Sequence, residues 1–485
     1  MSSAAGSQPR DRLFRILIYG LVLASAAAQF AIVPVMPVYA HRLGLSGFEQ
    51  GIVLGATGLA MLAVCVPAGA LSDRLGARRL TLGAGLLMAA ALLAQSLAGS
   101  FPLLLGARLA FGVGYGVVWT AGLSWIAGTV GRGSGLGGSV ACAGVGGVAG
   151  PAASGALVQY FGLAAPALAT AAGFALITAG LFALRTPAGP VAPPSPVAAS
   201  LRAALSDRAV ICTAAAIVAA GVTTGVTALL VPAELHAAGA SPGRIGLDFS
   251  VAGMLFALGS MLVASAGRRA LRMAAVCGGM LALAAALSPA VLTTAPVALV
   301  AMLCGTTAAR SILWTVSYPL AAEGASHTGA GLGVVVGLLN GVWAATAVLG
   351  PLAAGLGVGH LSPRAVFGLT EALCIALLAV TVAVAWRTRW PAPRALRLRA
   401  QGRRPVTAAA APGSLVPAPR QAAGQAPGRG PAAGVPAPVP GGKARPRLPR
   451  PLTPRALTGP GAHGRHPRRT TRRAGRQRPP RPPRG

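Results

Sequence analysis

Charged side chains make up only 10% of this 485-residue chain, so the few that interrupt apolar sequence are the ones that could do chemistry. The densest group is the turn Gly69-Ala70-Leu71-Ser72-Asp73-Arg74-Leu75-Gly76-Ala77-Arg78-Arg79-Leu80, with one carboxylate and three guanidinium groups between two long apolar runs. A carboxylate there could meet the positive end of a helix dipole, a contact worth roughly 0.3–1 kcal/mol. The arginines could hold the turn to anionic headgroups or nearby acids. Arg108 and Arg310 lie inside apolar runs, where a guanidinium must find a partner, water or a route to the interface. An anionic group on a substrate or on the protein is the natural partner of Arg310. Asp248 follows Arg244 by four residues, which suits a helical salt bridge. It is also an acid that could take up and release a proton, as is Glu371. Gln29, Thr223, Thr224, Thr227, Tyr115, Trp119, Trp125, Trp314, Tyr318, Asn340 and Trp343 supply a weakly polar, aromatic set suited to an amphipathic organic molecule. No catalytic triad, nucleotide-binding loop or metal cluster is present in the sequence. The six cysteines fall singly in apolar stretches and read as small buried hydrophobes. No enzyme activity, cofactor or metal is expected.

The elements that carry these residues must be membrane helices. Hydrophobic residues are 54% of the chain and mean hydropathy is +0.67, against a charged share of about 25% in soluble domains. A crossing helix needs about 20 apolar residues. On that measure twelve spans are expected, near 15–40, 49–72, 80–98, 103–126, 137–160, 163–184, 209–233, 244–266, 271–289, 294–321, 330–357 and 365–386. The first run is too long for a signal peptide, whose apolar region spans roughly 7–15 residues. Glycine and alanine recur within the spans, as in Gly51-x-x-x-Gly55, and let helix backbones approach closely.

A repeat runs through the chain. Pro37-x-x-x-His41-x-x-Gly44-x-Ser46 returns as Pro232-x-x-x-His236-x-x-Gly239-x-Ser241, followed by Gly51 and Gly246, at a constant offset of 195. Gly150-Pro151-x-x-x-Gly155 returns as Gly350-Pro351-x-x-x-Gly355, and Arg108 is echoed by Arg310. Two six-helix halves copied in the same order are expected, related by an axis along the membrane normal. Arginine placement puts both termini and the central linker on the cytoplasmic side. The domains expected are a first bundle over 1–184, a linker over 185–208, a second bundle over 209–386 and a tail over 387–485. That tail holds 21 of the 40 prolines and 23 of the 41 basic residues with no acid, a composition that cannot bury a core and suits disorder or anionic lipid.

The 69–80 turn resembles the signature loop between the second and third helices of the major facilitator superfamily of secondary transporters. The resemblance implies an all-α polytopic fold of twelve helices in two pseudo-twofold halves. It also implies a conformational latch formed by Gly69, Asp73, Arg74, Gly76, Arg78 and Arg79, with Asp73 facing the start of the eleventh helix near 328–331. The segment Arg108-Leu109-Ala110-Phe111-Gly112-Val113-Gly114 resembles the family's R-x-x-x-G-x-G motif and implies a role in handling proton or substrate. Gly146 to Gly155 resembles the signature of antiporters in this superfamily, with Pro151 bending its helix. It makes Gly146, Gly150, Pro151, Gly155, Gly350 and Pro351 candidate hinge residues and tilts the direction toward export.

The expected function is alternating-access transport, in its most specific form proton-coupled efflux of small organic compounds across the cell membrane by a monomer. The substrate and proton path is expected to run past Gln29, Arg108, Tyr115, Trp119, Asp248, Arg310, Trp314, Asn340 and Trp343. The first span carries no acid within its apolar run, which departs from many multidrug members. The alternatives are an uptake symporter or facilitator and, of another class, a membrane sensor or scaffold with a basic tail and no transport activity. The partners are a small-molecule substrate, protons and the bilayer, with anionic lipid for the tail and no specific nucleic acid.

Overall fold

In the computed structural model the described residues are 7–130, 132–184, 197–328 and 332–386, and all of them are helix or short connection. The tail over 387–485 lies outside the described residues. The first half contains α1 (Ser7–Ala31), α2 (Met36–Leu43), α3 (Gly47–Leu75), α4 (Ala77–Ser96), α5 (Phe101–Val117), α6 (Leu123–Thr129), α7 (Arg132–Phe161) and α8 (Ala165–Ala183). A short helix, α9 (Val197–Ser206), precedes the second half. That half contains α10 (Arg208–Ala237), α11 (Pro242–Ser265), α12 (Met273–Leu292), α13 (Pro296–Thr328), α14 (Leu332–Val358) and α15 (Pro363–Trp386). Twelve stretches are long and apolar enough to cross a bilayer, in agreement with the expected number. Twelve passes return the chain to its starting side. The side carrying α1's start and α15's end is called the terminal end below, and the other the distal end.

Two spans depart from single straight helices. The first, expected over 15–40, is α1 and α2 with a turn between them. Pro34 has no N–H to give to Phe30 and its ring crowds that carbonyl. The chain bridges the gap with tighter bonds, Val33 N to Phe30 O at 3.2 Å and Met36 N to Val33 O at 3.4 Å. The fourth, expected over 103–126, is α5 and α6 joined by a π-helical turn at Val118–Gly122.

The sequence repeat is a structural repeat. Gly44 and Gly239 both take positive φ, 65° and 87°, where a side chain would be strained. Two residues later Ser46 and Ser241 cap the next helices by accepting the backbone N–H groups of Glu49 and Arg244 at 3.2 and 3.3 Å. Glu49 returns the contact to Ser46 N at 2.8 Å and completes a capping box.

The halves meet at two crossings, α3 on α14 and α7 on α11. A Cβ at Gly51 would strike the Pro351 carbonyl, and one at Gly246 would strike the Pro151 carbonyl. Gly47 and Gly355 touch backbone to backbone, as do Gly155 and Pro242. These contacts lie toward the distal end. Toward the terminal end of the same crossing helices, Gly69, Gly137, Gly144, Gly337 and Gly341 would meet nothing within 4 Å. Among the described residues, then, the glycine contacts between halves gather toward the distal end.

Candidate functional site: a cavity between the halves

A cavity opens where α1, α3 and α5 of one half face α10 and α14 of the other, with about 500 Å³ of empty space including its mouth. Gln29, Phe30, Arg108, Thr224 and Trp343 are among its walls, as are Gly221, Gly225 and Pro351, the two glycines letting α10 pack tightly on Thr346, Gly350 and Pro351 of α14.

Arg108 is fully buried. Its Nη2 donates to Gln29 Oε1 at 3.2 Å and to Thr57 Oγ1 at 2.9 Å. Its guanidinium lies 5.0 Å from the centre of the Phe111 ring. Nε and Nη1 are buried without a hydrogen-bond partner. Arg310 is held alike: Nη1 donates to Thr224 Oγ1, Nη2 donates to Thr307 Oγ1 at 3.0 Å, and Nε is buried without a partner. Gln29 and Thr224 are themselves 195 residues apart, the offset of the repeat. Each arginine therefore bonds the same position on the first helix of its own half, and among the described residues neither has a carboxylate partner. Snorkelling is not what holds Arg108, since a snorkelling head would reach water.

The aromatic residues divide between two environments. On α13 and α14, Trp314 stacks on Tyr318 with centroids 5.3 Å apart and meets Trp343 edge-on at 6.1 Å. Tyr318 Oη donates to Asn340 Oδ1 at 2.7 Å. This ladder leads from the cavity wall toward the terminal end. On α5 and its π turn, Tyr115 and Trp119 are 5.8 Å apart in the core of the first half, and Trp125 is buried against Phe14. None of these three is among the cavity's walls. The glycines between them serve packing: a Cβ at Gly112 would strike Thr57 and Ala60 of α3, one at Gly114 Met88 of α4, and one at Gly116 would press on Met61 of α3. Thr223, Thr224 and Thr227 all turn back to the carbonyls one turn earlier, of Ala219, Ala220 and Thr223, and of the three Thr224 is the one on the cavity wall.

Asp248 is not at the cavity. It is paired with Arg244, whose Nε donates to Oδ1 at 3.0 Å and Oδ2 at 3.2 Å, near the distal start of α11. Glu371 accepts from Ser288 Oγ at 2.9 Å within the second half. Of the 69–80 turn, Arg74 and Arg79 are exposed. Arg78 Nη2 donates to the carbonyls of Phe182 and Leu184 at 3.0 and 3.1 Å, closing the C-terminal end of α8. Gly76 turns the chain with a φ of 86°. The Asp73 side chain and residues 329–331 lie outside the described residues, so the expected latch contact does too.

The proline motif of α7 plays two parts. Gly146 and Gly150 would collide with Leu23 and Ala27 of α1 if they carried a Cβ, so they pack within their own half instead of across the interface. The Pro151 carbonyl and Gly155 face α11. Between them, Ser250 Oγ of α11 donates to Val148 O at 2.6 Å and accepts from Ala152 N at 3.0 Å. Those two groups would ordinarily bond each other four residues apart along α7. A hydroxyl from the other half is inserted into the helix beside its proline, and Gln159 reaches Ser241 Oγ at 3.2 Å one crossing turn farther out. Ser250, Thr57 and Gln159 were not singled out in the sequence. Only Ser250 had a signal, four residues after the repeated Gly246.

A family model for the Major Facilitator Superfamily matches residues 18–336, and the chain belongs to that family. It is a membrane transporter and not an enzyme. Among solved structures it is similar to a bacterial homologue of the human lysosomal transporter Spinster in an inward-facing, unoccupied conformation. That match has a TM-score of 0.60 at 16% identity and covers 78% of this chain and 96% of the other. The occupied inward-facing form of that homologue gives 0.61 at 17% identity, covering 79% and 98%. A variant of the nucleoside transporter NupG gives 0.61 at 14% identity, covering 76% and 99%. At these identities the likeness is one of fold. No curated protein matches by sequence.

Proposed function

We propose that this chain works by alternating access in the cell membrane and exports small organic compounds in exchange for protons. The observation that carries the reading is the cavity, walled by both halves, with the glycine contacts between those halves gathered toward the distal end. With the termini cytoplasmic, as the arginine bias favours, this is an inward-facing state awaiting cytoplasmic substrate. Rocking the halves about the cavity would open the glycine crossings and bring the terminal ends together. There Asp73 would meet the start of α14 as a latch.

Export is favoured by the resemblance of α7 to the antiporter signature. For the proton, Asp248 is the acid best placed to act. It sits on α11 between Gly246 and Ser250, the two residues that grip α7, and its side chain is 11% exposed. A proton taken up there from the distal side would release Arg244 from its pair on α11. Moving one proton through 100 mV supplies about 2.3 kcal/mol.

The test is flux of a labelled panel of organic compounds in proteoliposomes with an imposed pH gradient. Gradient-driven movement opposite to the proton is expected, with Asp248→Asn transporting independently of the gradient. Flux that ignores the gradient in the wild type would remove the proton from the mechanism. Accumulation in the proton's direction would make the protein a symporter.

A further inference from the structure

Among the described residues, Arg108, fully buried on the cavity wall, and Arg310, half-buried behind Thr224, have no anionic partner. A guanidinium withdrawn into a bilayer-spanning bundle is stable only with a countercharge, a full set of hydrogen-bond acceptors or water. Arg108 and Arg310 find only neutral oxygens, from Gln29, Thr57, Thr224 and Thr307, and three of their nitrogens, Nε and Nη1 of Arg108 and Nε of Arg310, have no partner. No carboxylate is among the residues that wall the cavity. Two positive charges thus flank one space from opposite halves, Arg108 directly and Arg310 through Thr224, while Phe30, Leu54 and Trp343 line the same space with apolar surface.

We infer that the cavity binds an amphipathic organic anion, its carboxylate or equivalent compact anionic group held between Arg108 and Arg310 and its apolar body against Phe30 and Trp343. The inference rests on the transporter reading of this cavity and names the substrate class that reading leaves open. It also gives the anion a role in coupling. Because the arginines belong to different halves, one anion bound to both ties the halves together across the axis on which they rock. Arg108 on the wall and Arg310 behind Thr224 make the space positive, an effect that a low-dielectric surrounding strengthens. A cationic ligand would add a third positive charge to the same space. The cavity should therefore select strongly by charge sign.

The probes are 2-naphthoate, neutral 2-naphthamide and cationic 2-naphthylmethylammonium, which share one ring system. They are titrated into the purified full-length protein in detergent, read by quenching of tryptophan fluorescence and by thermal unfolding. Naphthoate should bind at least about tenfold tighter than the cation, the equivalent of one charge-assisted hydrogen bond, and should raise the unfolding temperature most. Arg108→Gln and Arg310→Gln should each weaken naphthoate by about tenfold or more and reduce the preference for it over the amide, with Arg108→Lys falling between. Equal affinity for all three probes in the wild type would overturn the inference. So would wild-type affinity for naphthoate in both glutamine variants. If either variant fails to fold, the wild-type ranking of the three probes decides the matter alone. Naphthoate that binds but is never moved by proteoliposomes would leave the anion site standing and sink the transport reading. Gradient-driven flux of the cation with no anion preference would do the reverse.

Discussion

The two crossings that join the halves are copies of one another, yet they are fastened differently. At α3 on α14, Gly55 faces the Val348 carbonyl, and a Cβ there would lie 3.3 Å from it. At α7 on α11 the equivalent position is Ser250, which facing Val148 has inserted its hydroxyl into the hydrogen-bond ladder of α7. The first crossing is a smooth glycine contact. The second is the same contact with a polar pin. Duplication supplied the common shape, in which Gly51 meets Pro351 and Gly246 meets Pro151. One atom group then made the pair unequal, so the distal closure has a side that slides and a side that must be unhooked.

The comparison can be broken most strongly at what the crossings share. Gly51→Val and Gly246→Val should each force the helices apart, because the colliding atom is backbone and cannot swing away. Overpacking of this kind costs about 1–3 kcal/mol. Both variants should insert, lose most of their flux and expose a cysteine placed at the distal end to a water-soluble thiol reagent. Unchanged reactivity there would show that the crossings are not the closure.

The next effect is set by another inequality between the halves. Arg78 ties the 69–80 turn to the end of α8 by two charge-assisted bonds, and hydrogen bonds to charged groups contribute about 1.5–3 kcal/mol. Arg78→Gln should lower the unfolding temperature of the detergent-solubilised protein while leaving substrate affinity alone. An equal loss of affinity would mean that the turn senses the cavity.

The pin itself should have a smaller effect. Ser250→Ala lets Ala152 N return to Val148 O, so the loss should be about 0.5–1.5 kcal/mol, appearing as faster opening of the distal end. Gly55→Ser should do the opposite and add a second pin, provided α14 gives by a few tenths of an ångström. Single-turnover flux that does not move in opposite directions in these two variants would deny the hydroxyl its role. The smallest effect is expected at the terminal end. Asp73→Asn should remove a carboxylate–dipole contact of roughly 0.3–1 kcal/mol from the outward-facing state and speed the return to the inward-facing state without hindering insertion. Wild-type rates would refute the latch.

Much of the fold was legible because membrane helices are written in composition. Apolar runs of the right length gave all twelve spans, and the echo of Gly44 and Ser46 at Gly239 and Ser241 gave the duplication, since a positive φ and a helix cap each demand particular residue types. The site was only partly legible. Arg108, Gln29 and Trp343 lie on the cavity wall, while Tyr115 and Trp119, on the same helical run as Arg108, pack into the core of the first half. A pattern of aromatics four residues apart says which residues share a face and not what that face meets. Asp248 likewise showed its salt-bridge spacing in the sequence, but not its distance from the cavity.

By itself the sequence determined that the chain crosses a bilayer twelve times in two copies of six, because hydrophobic length and backbone conformation are local properties of residue type. Only the tertiary structure decided that Gly146 and Gly150 serve their own half while Gly155 serves the other. It alone set Ser250 against the backbone of a neighbouring helix, put Arg108 on the cavity wall and set Arg310, 202 residues later, behind Thr224 of the same wall. Those outcomes depend on which faces two helices present at their crossing, and that is fixed by close packing of the whole bundle rather than by any one segment.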